Sequence, residues 1–373
     1  MKFKFDDIAI NSTKKKIPEE SDKNVYIGLE HIDSECFTIT RWGAEAAPIG
    51  DKLLMQKGDV LFGKRRAYQR KVAIAPFDGI FSAHGMVLRP KENVVTKEFF
   101  PFFISSDQFM ERAVRISVGG LSPTVNWKDL KEQEFELPSI EEQKVLAEKL
   151  WAAYRLKESY KKLLAATDEM VKSRFVEMFG DSNSISKGFP VKTFEELCEV
   201  ITDGEHITPT RSDNGIYLLS ARNIANGELL LDDVDYISEK EYQRIAKRIV
   251  PTAGDVLISC SGSVGRVCVL PNNFRCQLVR SVALLRFKDD VLPFFMEKQI
   301  MSQDVQNQID VLKSKTSQAN IFQGNLKKLK GIVPPKSLQE SYLAFVNQAD
   351  KSGFELRKSI ENIDAVIKSL INN

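Results

Sequence analysis

The chain has 373 residues, 43% of them hydrophobic and 28% charged, and its formal net charge is +2. This length allows about two domains with their own hydrophobic cores, and the near-zero charge excludes a uniformly basic coat while permitting a local basic surface. No apolar run reaches the roughly 18 residues of a transmembrane helix, and the first residues, MKFKFDDIAI, lack the apolar stretch of a secretory signal. We therefore expect a cytoplasmic protein.

The cysteines and histidines do not form a recognisable metal or disulfide pattern. No two cysteines are spaced as C-x-x-C, and the histidines are scattered through the sequence. These spacings disfavour a zinc site or a disulfide framework, and reduced, buried cysteines are the simpler interpretation. We expect neither a metal nor another cofactor. The residues concerned are Cys36, Cys198, Cys260, Cys268, Cys276, His31, His84 and His206.

The first part of the chain alternates short apolar runs with turn signals. Such runs, bounded by Gly and Pro, are typical of strands. An amphipathic stretch at 96–114 and the polar loop SVGGLSPTVN at 117–126 come next, so we expect a group of strands followed by a helix. The predicted strands lie in VYIGLEHI (25–32), GDVLF (58–62), KVAIAP (71–76) and HGMVLRP (84–90).

A much longer helix is predicted after this loop. Neither Pro nor Gly occurs between residues 140 and 179, and a helix of that length would measure about 60 Å. Its apolar residues fall near a three-four repeat, which is typical of a coiled-coil seam, although Lys157 interrupts the repeat. The seam positions are Leu146, Leu150, Ala153, Tyr160, Leu164, Thr167 and Val171.

The rest of the chain repeats this order of segments. GDVL at 58–61 recurs at 254–257, and LPSIEEQ at 137–143 is matched by VPPKSLQ at 333–339, both with an offset of 196 residues. Several matches in the same order indicate an internal duplication, with FGDSNSISKGFP (179–190) as the linker. The second copy has strand-like runs in IYLLSARNI (216–224), GDVLISC (254–260), RVCVLP (266–271) and SVALLRF (281–287), and a predicted helix in LPFFMEKQIMSQDVQNQI (292–309).

A second long helix ends the sequence. Its apolar residues follow steps of four and three. Two long helices thus end two duplicated units, and we expect them to pair antiparallel as a coiled coil. The alternative is that each helix packs only on its own domain. The second seam consists of Leu356, Ile360, Ile363, Ile367 and Leu370.

The two copies differ most in the loop that follows GDVL. In the first copy GKRRAYQRK (63–71) places five basic residues around one tyrosine, whereas SGSVGR (261–266) in the second copy is no longer strongly basic. Arginine can bind guanine O6 and N7, and both arginine and lysine neutralise phosphates. The run therefore indicates a DNA-contacting loop, with a solvated charged hairpin as the alternative. Its candidate residues are Lys64, Arg65, Arg66, Tyr68, Arg70 and Lys71.

Other polar segments are weaker candidates for DNA contact. The loops GGLSPT (119–124) and KSKTSQ (313–318) occupy matching places before the long helices, although turn formation alone also selects such residues. The second copy adds a polar loop before its first strand and dispersed arginines, each of which could equally be an ordinary surface residue. These candidates are Ser122, Thr124, Thr202, His206, Thr208, Thr210, Arg211, Arg222, Arg266, Arg275, Arg280, Lys315 and Thr316.

Taken together, these features resemble the specificity subunit of type I restriction–modification systems. The resemblance rests on GDVL in each half, on LPSIEEQKVLAEKL (137–150) and SRFVEMFGDS (173–182) at the two ends of the central helix, and on TDGEHITPTRSDNGIYLLSARNI (202–224). No single motif is specific, but the ordered set covers nearly the whole chain. One departure is VPPKSLQESYLAFV (333–346), which lacks the paired glutamates of its counterpart.

The resemblance implies an α+β fold with two duplicated α/β target recognition domains, separated by two long antiparallel coiled-coil helices in a pseudo-two-fold arrangement. It also implies that each domain reads one half of a split double-stranded DNA site. The helices would dock two methyltransferase subunits, with restriction subunits as further candidate partners. The expected boundaries are 1–137 and 181–333 for the recognition domains, and 138–180 and 334–373 for the helical spacers.

The sequence contains no convincing catalytic motif. It has neither G-x-G-x-x-G nor the Asn/Asp-Pro-Pro-Tyr/Phe of an amino-methyltransferase, and SGSVG (261–265) lacks the Lys-Ser/Thr of a phosphate-binding loop. Glu142 and Lys144 fit half of a nuclease site but have no clear partner aspartate. We therefore expect a non-catalytic DNA reader. The alternatives are a stand-alone DNA-acting enzyme with a cryptic nuclease site, or a coiled-coil scaffold without DNA affinity.

Overall fold

The computed structural model describes residues 1–180, 187–314 and 319–372. Its elements form two units, one of Met1–Lys162 with Leu356–Asn373 and the other of Leu163–Glu355. Each unit combines a mixed helix-and-strand part with segments of two long helices. The duplicated organisation that the sequence predicts is therefore present.

The strands of the first unit are short. The pair of β1 and β10 is antiparallel and places Phe3 opposite Phe135, so the beginning of the sequence lies beside the segment that leads into the long helix. In chain order the strands are β1 (Lys2–Lys4), β2 (Ala9–Ser12), β3 (Lys15–Lys16), β4 (Tyr26–Ile27), β5 (Lys52–Met55), β6 (Val60–Phe62), β7 (Val72–Ile74), β8 (Gly79–Phe81), β9 (Met86–Pro90) and β10 (Glu134–Glu136).

Two four-stranded sheets form the centre of the first unit. The main sheet has the order β2-β9-β6-β7 and is antiparallel throughout. Every residue of β6 is buried, which explains why its sequence is continuously apolar and does not alternate. The second sheet has the order β3-β5-β8-β4, and side chains from both sheets, among them Leu61 and Phe81, share one apolar cluster.

Helices pack against the main sheet through an aromatic cluster. The rings of Phe5, Phe103, Phe109 and Phe135 contact one another, and Phe109 stacks on Phe135 with a centroid separation of 5.7 Å. Three-residue 3-10 turns lie at Leu29–His31 and Ala67–Gln69, and a longer one at Glu20–Val25. The helices are α1 (Phe5–Ile8), α2 (Phe100–Ser105), α3 (Asp107–Arg115), α4 (Trp127–Leu130) and α5 (Ile140–Phe179), the last of which continues into the second unit.

The amphipathic stretch at 96–114 is helical, as predicted, but it is divided into two helices, α2 and α3. The break is at Ser106, whose backbone is extended and whose hydroxyl accepts a hydrogen bond from the Phe109 amide at the start of α3. Serine caps a new helix well because its short side chain satisfies an otherwise unpaired amide. The second copy also breaks 196 residues further along, at Ser302, whose backbone is extended but whose hydroxyl donates back to the Gln299 carbonyl and does not cap α9.

The second unit contains the repeated set of elements. Its strands are β11 (Val191–Thr193), β12 (Cys198–Asp203), β13 (Arg211–Ser212), β14 (Ile216–Leu219), β15 (Ile224–Ala225), β16 (Glu228–Leu229), β17 (Asp235–Ile237), β18 (Val256–Ser259), β19 (Val267–Val269), β20 (Cys276–Leu278), β21 (Val282–Phe287) and β22 (Lys330–Ile332). Its helices are α6 (Phe194–Leu197), α7 (Glu239–Ala246), α8 (Pro293–Met301), α9 (Gln303–Leu312), α10 (Gln323–Leu326) and α11 (Lys336–Asn372), with a 3-10 turn at Ala221–Asn223.

The main sheet is preserved between the copies, whereas the second sheet keeps only one parallel strand pair, β4–β8 in the first unit and β14–β20 in the second. The order β12-β21-β18-β19 reproduces the main sheet of the first unit, with β18 in the place of β6. The second sheet has the order β13-β17-β14-β20, and helix α7 lies between β17 and β18. The repeated GDVL segment thus belongs to a constant scaffold, while the region between the first and second conserved strands is rebuilt.

The two long helices pack together, as the sequence predicts. In the first unit Leu150 of α5 and Ile367 of α11 belong to one apolar core, and in the second unit Phe175 of α5 contacts Tyr342 of α11 at 5.5 Å between ring centroids. The early part of α5 therefore meets the late part of α11, and the late part of α5 meets the early part of α11. This is the contact order of an antiparallel pair.

The predicted seam residues lie on the covered stripes of these helices. Those near the ends of the seam, Leu146, Leu150, Val171, Ile367 and Leu370, also contact the cores of their own units. Leu150 is buried, and the half-buried members are Leu146, Ala153, Tyr160, Leu164, Thr167, Val171, Leu356, Ile360, Ile363, Ile367 and Leu370.

Lys157 belongs to the covered stripe and does not interrupt it, so this part of the prediction is wrong. The residue is 7% exposed, and its ammonium group forms an ion pair with the Asp364 carboxylate on α11. A charged pair of this kind contributes little net stability, because both groups lose hydration. It favours one helix register, since a shifted register would leave a buried charge unpaired.

A buried glutamine fixes each long helix to its unit in the same way. The Gln143 side-chain oxygen accepts a hydrogen bond from the Thr96 amide at 2.8 Å, and its nitrogen donates to the carbonyls of Val94 and Pro138 at 3.0 Å each. Gln339 repeats all three bonds 196 residues later, with the Leu292 amide and the carbonyls of Asp290 and Pro334. Both glutamines are fully buried. This explains why the glutamine recurs at the end of LPSIEEQ and VPPKSLQ.

Replacing Gln143 with leucine is expected to lower the free energy of unfolding of the first unit by about 3 kcal/mol, because one buried amide and two buried carbonyls lose their partner. Urea unfolding, together with hydrogen exchange at the Thr96 amide, measures this effect. Gln56→Leu, at an exposed residue of the same unit, is the matched control and should change stability by less than about 0.5 kcal/mol. Equal stability of the two variants would show that the clamp contributes nothing.

Candidate DNA interface

The basic run forms the loop between β6 and β7. The loop is closed by a hydrogen bond of 2.9 Å from the Gly63 amide to the Lys71 carbonyl, and a 3-10 turn, Ala67–Gln69, forms its tip. The arginines on either side of this turn, Arg66 and Arg70, have left-handed backbones with φ of 56° and 50°. The loop reverses the chain between the antiparallel strands β6 and β7, with one left-handed arginine on each side of its 3-10 turn.

The loop at 119–124 lies directly against this basic loop. The guanidinium groups of Arg65 and Arg66 both donate to the Ser122 hydroxyl at 3.2 Å, and the Arg66 amide donates to the Pro123 carbonyl at 2.7 Å. Arg65 and Thr124 also form an isolated antiparallel bridge. Two candidate segments that lie far apart in the sequence are thus joined into one surface, which we call the paired loops (residues 63–71 and 119–124).

The basic residues of the first loop divide into two groups by their partners. Within the described part of the chain, Arg65 and Arg66 have no carboxylate partner, and Tyr68 between the groups is 55% exposed. Lys71 instead donates to the Leu29 carbonyl at 2.6 Å, and Arg70 forms ion pairs with acidic residues of the same unit. Arg65 and Arg66 are therefore the residues best placed to meet a phosphate or a base.

Sequence reasoning missed two polar neighbours of the paired loops, Lys15 and His84. Burial, with a contribution from Lys15, lowers the pKa of Lys64. Burial and then the charges of Arg65, Lys64 and Lys52 lower the pKa of His84. Its imidazole is therefore neutral near pH 7 and can accept or donate a hydrogen bond beside Arg65, 3.5 Å away. The run of three lysines at 14–16 could have indicated a basic surface that includes Lys15, whereas nothing in the sequence predicted that His84 lies beside the basic loop.

In the second unit, the described residues of the matching segments meet through the same backbone contacts. Ser261 and Asn320 form the bridge that corresponds to Arg65 and Thr124, and the Ile321 amide donates to the Cys260 carbonyl at 2.9 Å. The corresponding bond in the first unit joins the Val125 amide and the Lys64 carbonyl at 2.9 Å. The backbone of the site is therefore common to both copies, while its side chains are not.

A family model described as the type I restriction modification DNA specificity domain matches residues 1–166 and again residues 186–364. These two matches cover most of the chain. The chain belongs to the type I restriction–modification specificity-subunit family. Members of this family recognise DNA, and catalysis belongs to other subunits of the complexes in which they act.

Individual relatives agree with this assignment. The type I restriction enzyme EcoKI specificity subunit of Escherichia coli strain K12 is 24% identical over 322 residues, which are 79% of this chain and 67% of that protein. The EcoDI specificity subunit of Escherichia coli is 27% identical over 147 residues. That alignment covers 38% of this chain and 32% of the relative, so the chain aligns with only about a third of its length.

Two solved structures share the fold. A chain from a study of complex assembly and conformational transition in a type I R-M system has a TM-score of 0.61 at 19% identity, with 100% of this chain and 96% of that chain covered. The type I restriction–modification S subunit from M. genitalium has a TM-score of 0.55 at 12% identity, with 100% and 94% covered. These structures establish the fold of the specificity-subunit family for this chain.

In the second specificity domain, most of the predicted arginines are already paired. Arg211 and Arg222 lie 2.9 and 3.1 Å from the Asp235 carboxylate, and Arg275 lies 2.7 Å from Glu239. Hydrogen bonds to Glu239 and Tyr242 raise the pKa of Arg275. Since these charges are neutralised locally, they offer less attraction to phosphates than Arg65 and Arg66. Their assignment as DNA contacts remains a prediction.

The polar loop at 202–211 also makes internal contacts. His206 lies 2.9 Å from the Asp203 carboxylate, and the Thr202 hydroxyl accepts a hydrogen bond from Arg248. The Thr210 amide donates to Glu241, while Thr208 is exposed. Arg248, which also pairs with Asp203 at 2.8 Å, was not among the predicted residues. The loop therefore exposes polar groups to solvent, while its charged side chains are largely paired with other protein groups.

The remaining second-unit candidates either have no acidic partner among the described residues or lie outside those residues. Arg266 and Arg280 are exposed, and no carboxylate among the described residues pairs with either side chain. Lys315 and Thr316 lie outside the described residues. The exposed arginines are the second unit's best candidates for phosphate contact.

The described residues contain no cluster of three or more His, Cys, Asp or Glu that could hold a metal ion. Glu142, half of the apparent nuclease motif, accepts hydrogen bonds from the Ser139 amide and hydroxyl at 2.8 Å and caps α5. These bonds lower the pKa of its carboxyl group.

Within the ranges that the structure covers, no helix combines the length and apolarity needed to cross a bilayer.

Proposed function

We propose that this chain is the DNA-reading subunit of a type I restriction–modification complex. Each recognition domain, residues 1–137 and 181–333, reads one half of a bipartite double-stranded DNA site. The helical segments, 138–180 and 334–373, set the separation of the half-sites and dock two methyltransferase subunits. Restriction subunits are further partners of the same complex.

The observation that carries this proposal is the contact between the paired loops of the first unit, together with its counterpart in the second unit. Two segments meet through the same backbone bonds in both copies, but their side chains differ between Arg65 with Thr124 and Ser261 with Asn320. A constant backbone can approach DNA in a constant way, since phosphate contacts position a protein, whereas different side chains read different bases. Two different sets of side chains on one backbone scaffold fit two half-sites of different sequence.

The outer face of α5 supports the docking of a protein partner. Leu156, Leu163 and Met170 are spaced seven residues apart and are each about half exposed, at 45%, 52% and 48%. An apolar row on the face away from the covered stripe has no function in a free helix and is typical of an interface. We infer that a methyltransferase subunit covers it.

Assembly and methyl transfer test the proposed function. We expect the purified chain to transfer no methyl group from S-adenosylmethionine, and the co-expressed complex with its methyltransferase subunit to methylate a defined bipartite site. Native mass measurement is expected to give two methyltransferase subunits for each copy of this chain. A chain carrying Leu163→Glu and Met170→Glu should remain folded and lose the partner. Methyl transfer by the isolated chain would contradict the proposal.

A further inference from the structure

Arg70 differs from its neighbours in the basic loop because its side chain points into the first unit. Its guanidinium donates to the Ser105 carbonyl at 2.7 Å and lies 2.9 Å from the Asp107 carboxylate and 3.1 Å from that of Glu35. The Ser105 carbonyl and the Asp107 carboxylate both meet Nη2, whereas Nε, buried beside Glu35, makes no hydrogen bond within the described residues. An arginine held in this way has little left to offer a phosphate.

The backbone of Arg70 is strained, as is that of Arg66, which aligns with Gly262 in the second unit. The Arg70 φ of 50° is in the left-handed region, which costs a non-glycine residue roughly 1 kcal/mol or more. Loop closure by Gly63 with Lys71, and by Ser259 with Arg266, places Gly265 at the matching position of the second unit. Gly265 has a φ of 92°, a conformation that glycine adopts without strain. The first unit thus keeps an arginine where glycine suits the backbone better, and the contacts of its side chain offset the strain.

Asp107 connects Arg70 to the last turn of α11. The Asp107 amide donates to the Asn372 side-chain oxygen at 2.9 Å, and the Asn372 side-chain nitrogen donates back to the Asp107 carboxylate at 3.1 Å. The ammonium group of Lys368 lies 3.5 Å from the same carboxylate. In the second unit the matching residue is Gln303, whose amide bonds to Asn307 on its own helix. The connection is therefore a feature of the first unit.

We propose that Arg70 and Asp107 are positioning residues that fix the basic loop against the last turn of α11, so that the DNA affinity of the first unit depends on that turn. This inference rests on the proposed DNA-reading function of the paired loops. Arg70 acts indirectly. It holds one end of the 3-10 turn, and the left-handed backbone at the two ends of this turn sets the direction of the Arg65 and Arg66 side chains. Loss of the connection frees the loop, and DNA binding must then order it again at an entropic cost.

The substitution Asp107→Asn gives a test in which two effects have opposite signs. It removes a negative charge near the basic loop, so electrostatics alone would strengthen DNA binding. The connection predicts the reverse, a roughly fivefold or greater loss of affinity, because a charge-assisted contact that orders the loop is lost. Binding of the full chain to a labelled 30-base-pair duplex of mixed sequence measures it. Glu111→Gln is the control: it makes the same charge change on the same helix at an exposed residue with no described partner, and should bind slightly more tightly.

Hydrogen exchange of residues 64–71 without DNA provides an independent readout. Asp107→Asn, and the neutral substitution Asn372→Ala on α11, should both accelerate exchange in this segment and leave exchange in the matching loop at 260–266 unchanged. Arg70→Lys should restore part of the protection that Arg70→Gly loses. Unchanged exchange in the Asp107 and Asn372 variants would overturn the inference. A wild-type chain that protects the loop but does not bind the duplex would instead overturn the proposed function.

Discussion

Removing one heptad from each long helix is expected to shorten the spacer between the two recognised half-sites while leaving the half-site sequences unchanged. The deletions are residues 161–167 of α5 and 352–358 of α11, which preserve the three-four repeat on both helices. Seven helical residues span about 10 Å, and one base pair rises about 3.4 Å along B-DNA. The spacer should therefore lose about three base pairs.

Methylome sequencing of cells that express the shortened chain with its methyltransferase partner measures this result. The unaltered chain should recognise a non-palindromic site whose unlike half-sites are opposed in orientation and lie roughly one helical turn apart. The control deletes only 161–167. The seam residues of α5 and α11 are then out of register, and methylation should be abolished. If the double deletion changes the bases recognised and preserves the spacing, the helices do not set the distance.

The double substitution Arg65→Ala and Arg66→Ala is expected to produce the largest loss of DNA affinity of any pair in the basic loop. These two guanidinium groups share Ser122 as a partner and have no carboxylate within the described residues. Each lost phosphate contact lowers the slope of log affinity against log salt by about 0.9, so the pair should lower it by about 1.8. Affinity near physiological salt should fall by roughly 10- to 100-fold.

Titrations of the full chain with duplex DNA over a range of salt concentrations measure both quantities. Lys149→Ala with Lys162→Ala removes the same charge from exposed positions of α5 and is the matched control. Circular dichroism and the thermal midpoint must show that the arginine variant is folded, because Arg66 occupies a left-handed position. A folded variant with an unchanged slope would mean that the loop is only a solvated surface.

Several features could be predicted from the sequence because they depend on local patterns. The duplication follows from GDVL and the two glutamine motifs at one common offset, and the length of α5 follows from the absence of Pro and Gly. The break at Ser106 was missed since amphipathic periodicity continues through it. Only the capping of α3 shows that the chain leaves the helix there for one residue.

The two-unit order, the two long helices and three of the four main-sheet strands in each unit follow from local sequence patterns, because hydrophobic period and helix breakers act within a few residues. The first main-sheet strands, β2 and β12, were not predicted. The sequence could not distinguish Arg65 and Arg66 from Arg70, which are neighbours in a single basic run. Tertiary structure decided that difference by bringing Ser122 to one side of the loop, and Asp107 with Asn372 to the other. Whether a charge is free to meet DNA depends on the protein partners that reach it, and in this loop those partners lie 35 to 57 residues away along the chain.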